Sequence, residues 1–114
     1  MTNKSLPEQV AAAASDKKAQ DIVILDLKGI STVTDYFVIC SANSTTQVQA
    51  IADHMEDKLR DQGMKTLRRE GYRDARWVLL DFGDCIAHVF VEEDRRFYNL
   101  ERLWNESKLR VYQE

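Results

Sequence analysis

Two carboxylates close apolar runs in this chain of 114 residues and could together hold a metal ion. Asp26 ends the run that begins at Ile22, and Asp81 ends the run that begins at Trp77. Magnesium prefers oxygen ligands, and carboxylates at strand ends can hold it for phosphoryl or nucleotidyl transfer. The sequence contains no D-x-D pair, and residues 41–44 have no glycine to cradle a phosphate. A magnesium-dependent nucleotidyltransferase-like enzyme that uses Asp26 and Asp81 therefore stays as an alternative interpretation.

The triplet Asp81-Phe82-Gly83 matches the magnesium-binding triplet of protein kinases. The sequence has no glycine-rich loop and no HRD motif, and it is about half as long as a kinase domain requires. A tight turn is a sufficient explanation for this triplet.

The side chains that most often ligate zinc or act as nucleophiles are Cys40, His54, Cys85 and His88. Their spacing matches no zinc-ligand pattern. Strand alternation places Cys85 and His88 on opposite faces, which argues against a Cys–His nucleophile pair. Both cysteines lie in apolar runs, as is typical of buried, reduced thiols in a cytosolic protein. We therefore predict no catalytic residue, no metal site and no cofactor.

The segment that must position these groups runs from Trp77 to Val91. Its two apolar arms are joined by Gly83-Asp84, a turn of the kind that closes a β-hairpin. Alternation gives the hairpin one apolar face, predicted to be core: Val78, Leu80, Phe82, Ala87 and Val89. The opposite face mixes bulky apolar side chains with an Asp and a His: Trp77, Leu79, Asp81, Ile86, His88 and Phe90.

Three aromatic side chains are predicted to be exposed on or near the mixed face: Trp77, Phe90 and Tyr98. Aromatic side chains of this kind dominate the binding energy of protein–protein interfaces. They would equally be explained by another helix, or a second copy of the chain, covering this face. The pattern alone leaves both explanations open.

The remaining segments predict a single α/β domain over residues 1–114, with a mixed sheet of about five strands flanked by helices. An N-terminal helix lies within residues 1–20 and begins with the capping box Ser5 to Glu8. A second helix begins at the capping box Ser44 to Gln47, and Gly63 stands just past its last turn. Strands are predicted at residues 22–27 and 35–41, and residues 65–71 form a short edge strand. A last helix carries an apolar stripe of Phe97, Leu100, Leu103 and Trp104, whereas residues 105–114 fit either a loose tail or a continuation of that helix.

Charge and composition limit the classes of partner. Hydrophobic residues make up 44% and charged residues 31% of the chain, which is ordinary for a globular domain. The net charge of −3 gives little general attraction to nucleic acid, so any RNA contact would have to be local. One basic group is a candidate for a local contact with a phosphate backbone in a larger assembly, although a solvated edge strand explains it as well: Lys65, Arg68, Arg69, Arg73 and Arg76. No apolar run approaches the length of about 20 residues that spans a bilayer, and the N-terminal segment reads as neither a secretory signal nor an Arg-rich transit peptide.

Several blocks of the sequence, in order, resemble the ribosomal silencing factor (Iojap-like) family. The first blocks are 21–26 (DIVILD), 34–39 (TDYFVI) and 44–48 (STTQV) with Ile51-Ala52. The later blocks are Glu70-Gly71, 77–84 (WVLLDFGD), 88–90 (HVF) and 96–104 (RFYNLERLW). The resemblance spans residues 21–104, with one mild departure: Ser41-Ala42 stands where many members have Ser-Gly before the helix.

The resemblance implies a non-enzymatic, cytoplasmic, bacterial factor that binds the large ribosomal subunit at its fourteenth protein, on the intersubunit face. It would block joining of the small subunit and repress translation in the stationary phase, when nutrients are limiting. The family fold is similar to that of nucleotidyltransferases without their catalytic acidic set, and members tend to form homodimers. Together with the alternation of the hairpin, this predicts one partner-binding surface: Trp77, Leu79, Asp81, His88, Phe90 and Tyr98. Trp77, Phe90 and Tyr98 would be its anchors, and Asp81 and His88 its polar specifiers.

Overall fold

The computed structural model describes residues 4–104 and 108–112, which form one mixed sheet flanked by helices. The elements in chain order are α1 (Leu6–Asp16), β1 (Gln20–Asp26), β2 (Tyr36–Ala42), α2 (Thr45–Asp61), β3 (Arg68–Glu70), β4 (Trp77–Asp81), β5 (Cys85–Val91), α3 (Glu92–Tyr98), α4 (Leu100–Leu103) and β6 (Lys108–Val111). Within the described residues no helix has the length and apolar character needed to cross a membrane.

The sheet has six strands in the order β3-β4-β5-β2-β1-β6. The central pair β2 and β5 is parallel, and every other pair is antiparallel. The sequence predicted about five strands, and the additional one is β6, which pairs with the outer edge of β1. Both interpretations of residues 105–114, a loose tail and a helix continuation, are therefore wrong for residues 108–111, whereas residues 105–107 and 113–114 lie outside the described residues.

Helices α1 and α2 pack on one side of the sheet, which we call the helix-covered face. The capping box at Ser5 forms as predicted, with the Ser5 amide donating to Glu8 Oε1 (3.2 Å). At Ser44 half of the predicted box forms: the Gln47 amide donates to Ser44 Oγ (3.1 Å), but Gln47 Oε1 accepts from the Asn43 amide (3.1 Å) and not from that of Ser44. The buried residues of α2 recur at helical spacing and lie against the sheet: Val48, Ile51, Ala52, Met55 and Leu59. This face contains the main core, and it confirms the predicted core residues of the hairpin: Val78, Leu80, Phe82, Ala87 and Val89.

The hairpin of β4 and β5 forms as predicted. Trp77 pairs with Phe90, Leu79 with His88 and Asp81 with Ile86, so the mixed residues share the face opposite α1 and α2. We call this side of the sheet the aromatic face. Gly83 has φ +92°, a left-handed conformation that glycine adopts without the steric cost of a side chain.

The predicted apolar stripe on the last helix is wrong. Asn99 adopts a left-handed conformation (φ +46°, ψ +59°), which ends α3 and starts the short helix α4 in a new direction. Leu100 is buried against the aromatic face, while Phe97 and Leu103 are 81% and 71% exposed. The side chain of Trp104 is half-buried and lies edge-on to the ring of Phe37 at a centroid distance of 5.8 Å.

Candidate docking surface

The aromatic face brings rings from three elements together beside the hairpin. The indole of Trp77 on β4 stacks on Phe90 of β5 at a centroid distance of 4.8 Å. The ring of Tyr98, at the end of α3, lies 4.8 Å from the indole and 6.5 Å from Phe90. Contacts of this length are typical of favourable aromatic pairs. The sequence predicted these three rings as neighbours in function, and the structure places them in one cluster.

Burial divides the six predicted site residues into two groups. Phe90 is fully buried and His88 is only 4% exposed, so the expectation that Phe90 is exposed is wrong. Trp77 and Tyr98 cover the Phe90 ring, which supports them from below. The side chains left partly open to solvent are Trp77, Leu79, Asp81 and Tyr98. We call these four residues the docking surface.

His88 orients Trp77 through a hydrogen bond within the face. The indole Nε1–H of Trp77 donates to Nδ1 of His88 at 3.0 Å. Because an indole nitrogen can only donate, Nδ1 must carry the lone pair, and the proton of the neutral ring lies on Nε2. Burial lowers the pKa of His88 to about 4, which keeps the ring neutral near pH 7.

The second nitrogen of His88 is buried without a polar partner. Nε2 finds no hydrogen bond among the described residues. The centroids of the His88 and Phe37 rings lie 4.5 Å apart in an edge-on arrangement. An unsatisfied buried donor costs about 1–3 kcal/mol, so the histidine is retained here at an energetic cost. Its position inside the face makes it a support for Trp77 rather than a polar contact to a partner.

Asp81 is partly used by its own turn. Its Oδ1 accepts a hydrogen bond from the Gly83 amide at 2.8 Å, which is the local pairing expected of an aspartate before a tight turn. The side chain is half-buried, and the other carboxylate oxygen is the one available for a further contact. The same interaction explains the Asp81-Phe82-Gly83 triplet without kinase chemistry.

The alternative enzyme needs Asp26 and Asp81 together, and the fold separates them. Asp26 lies on the helix-covered side, in step with the core residues Ile22 and Ile24, while Asp81 lies on the aromatic face. Strands β2 and β5 stand between them, so three strand spacings separate the two carboxylates by about 14 Å. They cannot bind one metal ion, and no group of three or more His, Cys, Asp or Glu side chains in the described residues could hold one.

The two cysteines are unpaired and buried in the helix-covered core, on the opposite side of the sheet from His88. Burial raises the pKa of the Cys40 thiol to about 12 and raises that of Cys85 as well, so neither thiol ionises near neutral pH. His54 lies apart from both cysteines and connects α2 to α1, with its Nε2 3.0 Å from Asp16 Oδ2. The predicted separation of Cys85 from His88 is confirmed.

Most of the predicted basic group is engaged in ion pairs. Arg68 pairs with Glu70 and Arg69 with Glu56 of α2, each at 3.1 Å. Arg76 pairs with Asp94 in the first turn of α3 at 2.6 Å. Lys65 and Arg73 are exposed, and no ion pair involves them within the described residues. The surface available to a polyanion is therefore smaller than the run of basic residues indicated.

Comparison with known proteins identifies the family. The family model described as "Ribosomal silencing factor during starvation" matches residues 1–114. The chain belongs to the ribosomal silencing factor family. A ribosomal silencing factor of Bacillus subtilis is 49% identical over 109 residues, which cover 96% of this chain and 92% of that protein. This family consists of regulatory factors and not of enzymes, and membership is consistent with ribosome-associated repression of translation.

The chain is also similar to a solved bacterial structure and to a mouse protein. A solved structure from Bacillus halodurans is 44% identical, covers 96% of this chain and 97% of its own, and superposes with a TM-score of 0.81. A mouse protein named "Mitochondrial assembly of ribosomal large subunit protein 1" is 29% identical over 100 residues, covering 85% of this chain and 44% of the mouse protein. The similarity to this chain thus covers less than half of that longer mouse protein.

Proposed function

We propose that this protein binds the large ribosomal subunit at its fourteenth protein, on the face that meets the small subunit. While bound there it would sterically prevent the small subunit from joining, and translation would fall when nutrients are limiting. The family resemblance supplies this binding site, and the mouse relative's name, which refers to the large subunit, is in keeping with it. The protein would act by occupying space, because its described residues hold no constellation for catalysis.

The observation that carries the proposal is the supported but uncovered pair of rings on the aromatic face. Trp77 is stacked on a fully buried Phe90 and hydrogen-bonded to a buried His88, so its orientation is fixed before any partner arrives. Tyr98 lies beside it and is 47% exposed. A rigid aromatic side chain loses little conformational entropy on binding, which is why such residues become hot spots.

Sedimentation of purified ribosomal subunits tests the steric block directly. We expect the protein to cosediment with large subunits and to lower the fraction of joined ribosomes as its concentration rises. Unchanged subunit joining at saturating protein would contradict the proposal.

The Trp77→Ala substitution tests the surface. Truncating a hot-spot tryptophan should weaken binding to large subunits by about 2 kcal/mol or more. Tyr72→Ala is the matched control, because Tyr72 is also half-buried but lies on the helix-covered side, where its hydroxyl donates to Asp53 at 2.9 Å. Equal affinities of the two variants would remove Trp77 from the contact.

A homodimer formed through the aromatic face would compete with the large subunit for Trp77 and Tyr98. If a second copy covers Trp77 and Tyr98, the dimer must open before the protein binds the subunit. Light scattering with and without large subunits distinguishes the cases: a dimer that persists in the complex would show that self-association uses another surface.

We propose that this binding takes place in the cytoplasm and includes a minor contact of Lys65 and Arg73 with ribosomal RNA. Such a contact predicts a small loss of affinity for large subunits as the salt concentration is raised.

A further inference from the structure

The apolar contacts of helix α3 are few: the ring of Tyr98 lies against Trp77, and Leu100, two residues further on, is buried against the aromatic face. None of the seven residues of α3 is buried, although the helix lies against a sheet whose aromatic face is apolar. A helix of globular proteins is normally fixed by an apolar stripe that packs on the core. These contacts lie at the C-terminal end of α3, so polar contacts from the rest of the helix must help to set the position of Tyr98.

The contacts of Arg95 supply an anchor. Its side chain is only 10% exposed, which is unusual for an arginine on a short surface helix. Nη1 donates to the backbone carbonyl of Asp21 at 2.6 Å and lies 3.3 Å from Ser41 Oγ. Nη2 donates to Glu101 Oε2 at 2.9 Å. One guanidinium thus joins α3 to the start of β1, the end of β2 and α4.

The ion pair between Arg95 and Glu101 is largely shielded from solvent. Arg95 lines a polar cleft of about 410 Å³ together with Asp21, Ser41, Asn99 and Glu101. The second oxygen of Glu101 is buried and has no hydrogen-bond partner among the described residues, so this carboxylate depends on Arg95 for its compensation. The side chains of Arg95 and Glu101 are 10% and 24% exposed, so removing one of them leaves the other charge only partly solvated, which is more costly than losing a fully exposed pair.

Arg95 also spans the break between the two short helices. Asn99 turns the chain in a left-handed conformation, and its amide donates to the Arg95 carbonyl at 2.9 Å. Glu101 lies beyond that break, so the side chain of Arg95 fixes the angle between α3 and α4. Tyr98 lies between the two attachment points, next to Trp77.

We infer that Arg95 is a positioning residue of the docking surface, because its contacts with β1, β2 and Glu101 hold Tyr98 against Trp77. This inference rests on the proposed function for its effect on binding, but not for its effect on the position of Tyr98. Arg76 assists at the other end of α3 through Asp94, although its side chain is half exposed and its pair is screened by solvent.

The test compares Arg95→Met with Arg96→Met. Arg96 lies on the same helix and pairs with Glu92, but its side chain is 78% exposed. We expect Arg95→Met to weaken binding to purified large subunits by about tenfold or more, the scale of a buried hot-spot contact, after correction for the folded fraction. Arg96→Met should stay within about twofold.

A second readout reports position without a partner. In a ¹⁵N-labelled sample, the indole Nε1–H resonance of Trp77 depends on the nearby ring of Tyr98, and the Trp77→Phe spectrum assigns it. We expect this resonance to move in Arg95→Met and to stay in place in Arg96→Met. If Arg95→Met does not fold, Arg95→Lys is used. A lysine keeps the charge but lacks the planar fork that reaches both the carbonyl and the carboxylate, so it should shift the same resonance by less.

The outcomes separate the two proposals. An unmoved Trp77 resonance in a folded Arg95 variant would overturn the inference. A moved resonance with unchanged affinity would overturn its connection to docking. If the unmodified protein itself fails to bind large subunits, the proposed function has failed, and a moved resonance still supports Arg95 as the residue that positions Tyr98.

Discussion

The helix-covered face and the aromatic face are built from alternate residues of the same strands, but the helices that pack on them cover them to different extents. On the first, α2 contributes five buried side chains, and Val78, Leu80 and Val89 beneath it have no exposed surface. On the second, α3 contributes no buried residue and is held by the polar contacts of Arg95 together with the ring of Tyr98, and Trp77 and Tyr98 stay partly open. The difference indicates that stability resides mainly in one face, while the other leaves the aromatic area exposed that the proposed docking would use.

Adjacent leucines of β4 give the strongest test of this contrast. Leu80 is fully buried under α2, and Leu79 is half-buried on the aromatic face. Leu80→Ala should lower the free energy of unfolding by about 2–5 kcal/mol, because it leaves a cavity in a close-packed core. Leu79→Ala should cost less than about 1 kcal/mol in stability and should instead weaken binding to large subunits. Urea unfolding measures both variants, and equal losses of stability would contradict the contrast.

Acidification should affect the aromatic face through His88. Its pKa is about 4 in the folded protein and 6.5 for an ordinary histidine, so between these pH values the unfolded chain binds the proton and the folded one does not. Stability should therefore fall as pH decreases from about 6.5 to 4, by up to about 3 kcal/mol from this group.

The control for the pH effect is His88→Asn, whose amide does not titrate. The difference between the two curves of unfolding free energy against pH isolates His88 from the carboxylates that protonate in the same range. Parallel curves for the two proteins would show that His88 does not contribute to the pH dependence. A protonated Nδ1 cannot accept from Trp77, so the indole resonance should also shift at the acidic end of the range.

The smallest effect is expected at Phe97. Its ring is 81% exposed beyond the edge of the aromatic cluster, touching only Tyr98 among the described aromatic rings. Phe97→Ser should change the free energy of unfolding by no more than about 0.5 kcal/mol. If Phe97 were part of a buried stripe, as its helical spacing indicated, the same substitution would cost several times more. Urea unfolding distinguishes these values.

Local signals in the sequence predicted most of the fold because they do not depend on distant residues. The alternation from Trp77 to Val91 assigned each residue of the hairpin to its face, and the capping boxes at Ser5 and Ser44 located two helix starts. The stripe through Phe97 failed because helical spacing assumes one continuous helix. Asn99 was the available signal for a break, since asparagine is one of the few residues that adopt the left-handed conformation readily.

Two parts of the structure had weak or no local signal. Residues 108–111 (KLRV) alternate over only four positions, which is too few to separate a strand from a tail. The shielding of Arg95 from solvent depends on a carbonyl of β1, the Ser41 hydroxyl of β2 and the Glu101 carboxylate of α4, whereas an arginine is expected to be exposed by default. The docking residues were selected by type, but which of them remain accessible depends on how α3 and α4 lie over the sheet.

The two strands that pair with β1 lie at very different distances from it in the sequence. One edge pairs with β2, its neighbour in the chain, while the other pairs with β6, so that Val23 lies opposite Val111 near the other end of the chain. During synthesis the apolar strand Gln20–Asp26 would leave the ribosome long before Lys108–Val111 exists to cover its outer edge. A product that stops before Lys108 would present this bare edge to other chains, and uncovered apolar edges favour intermolecular strand pairing. In the folded protein β6 therefore occupies the edge of β1 that would otherwise be open to strand pairing with another chain.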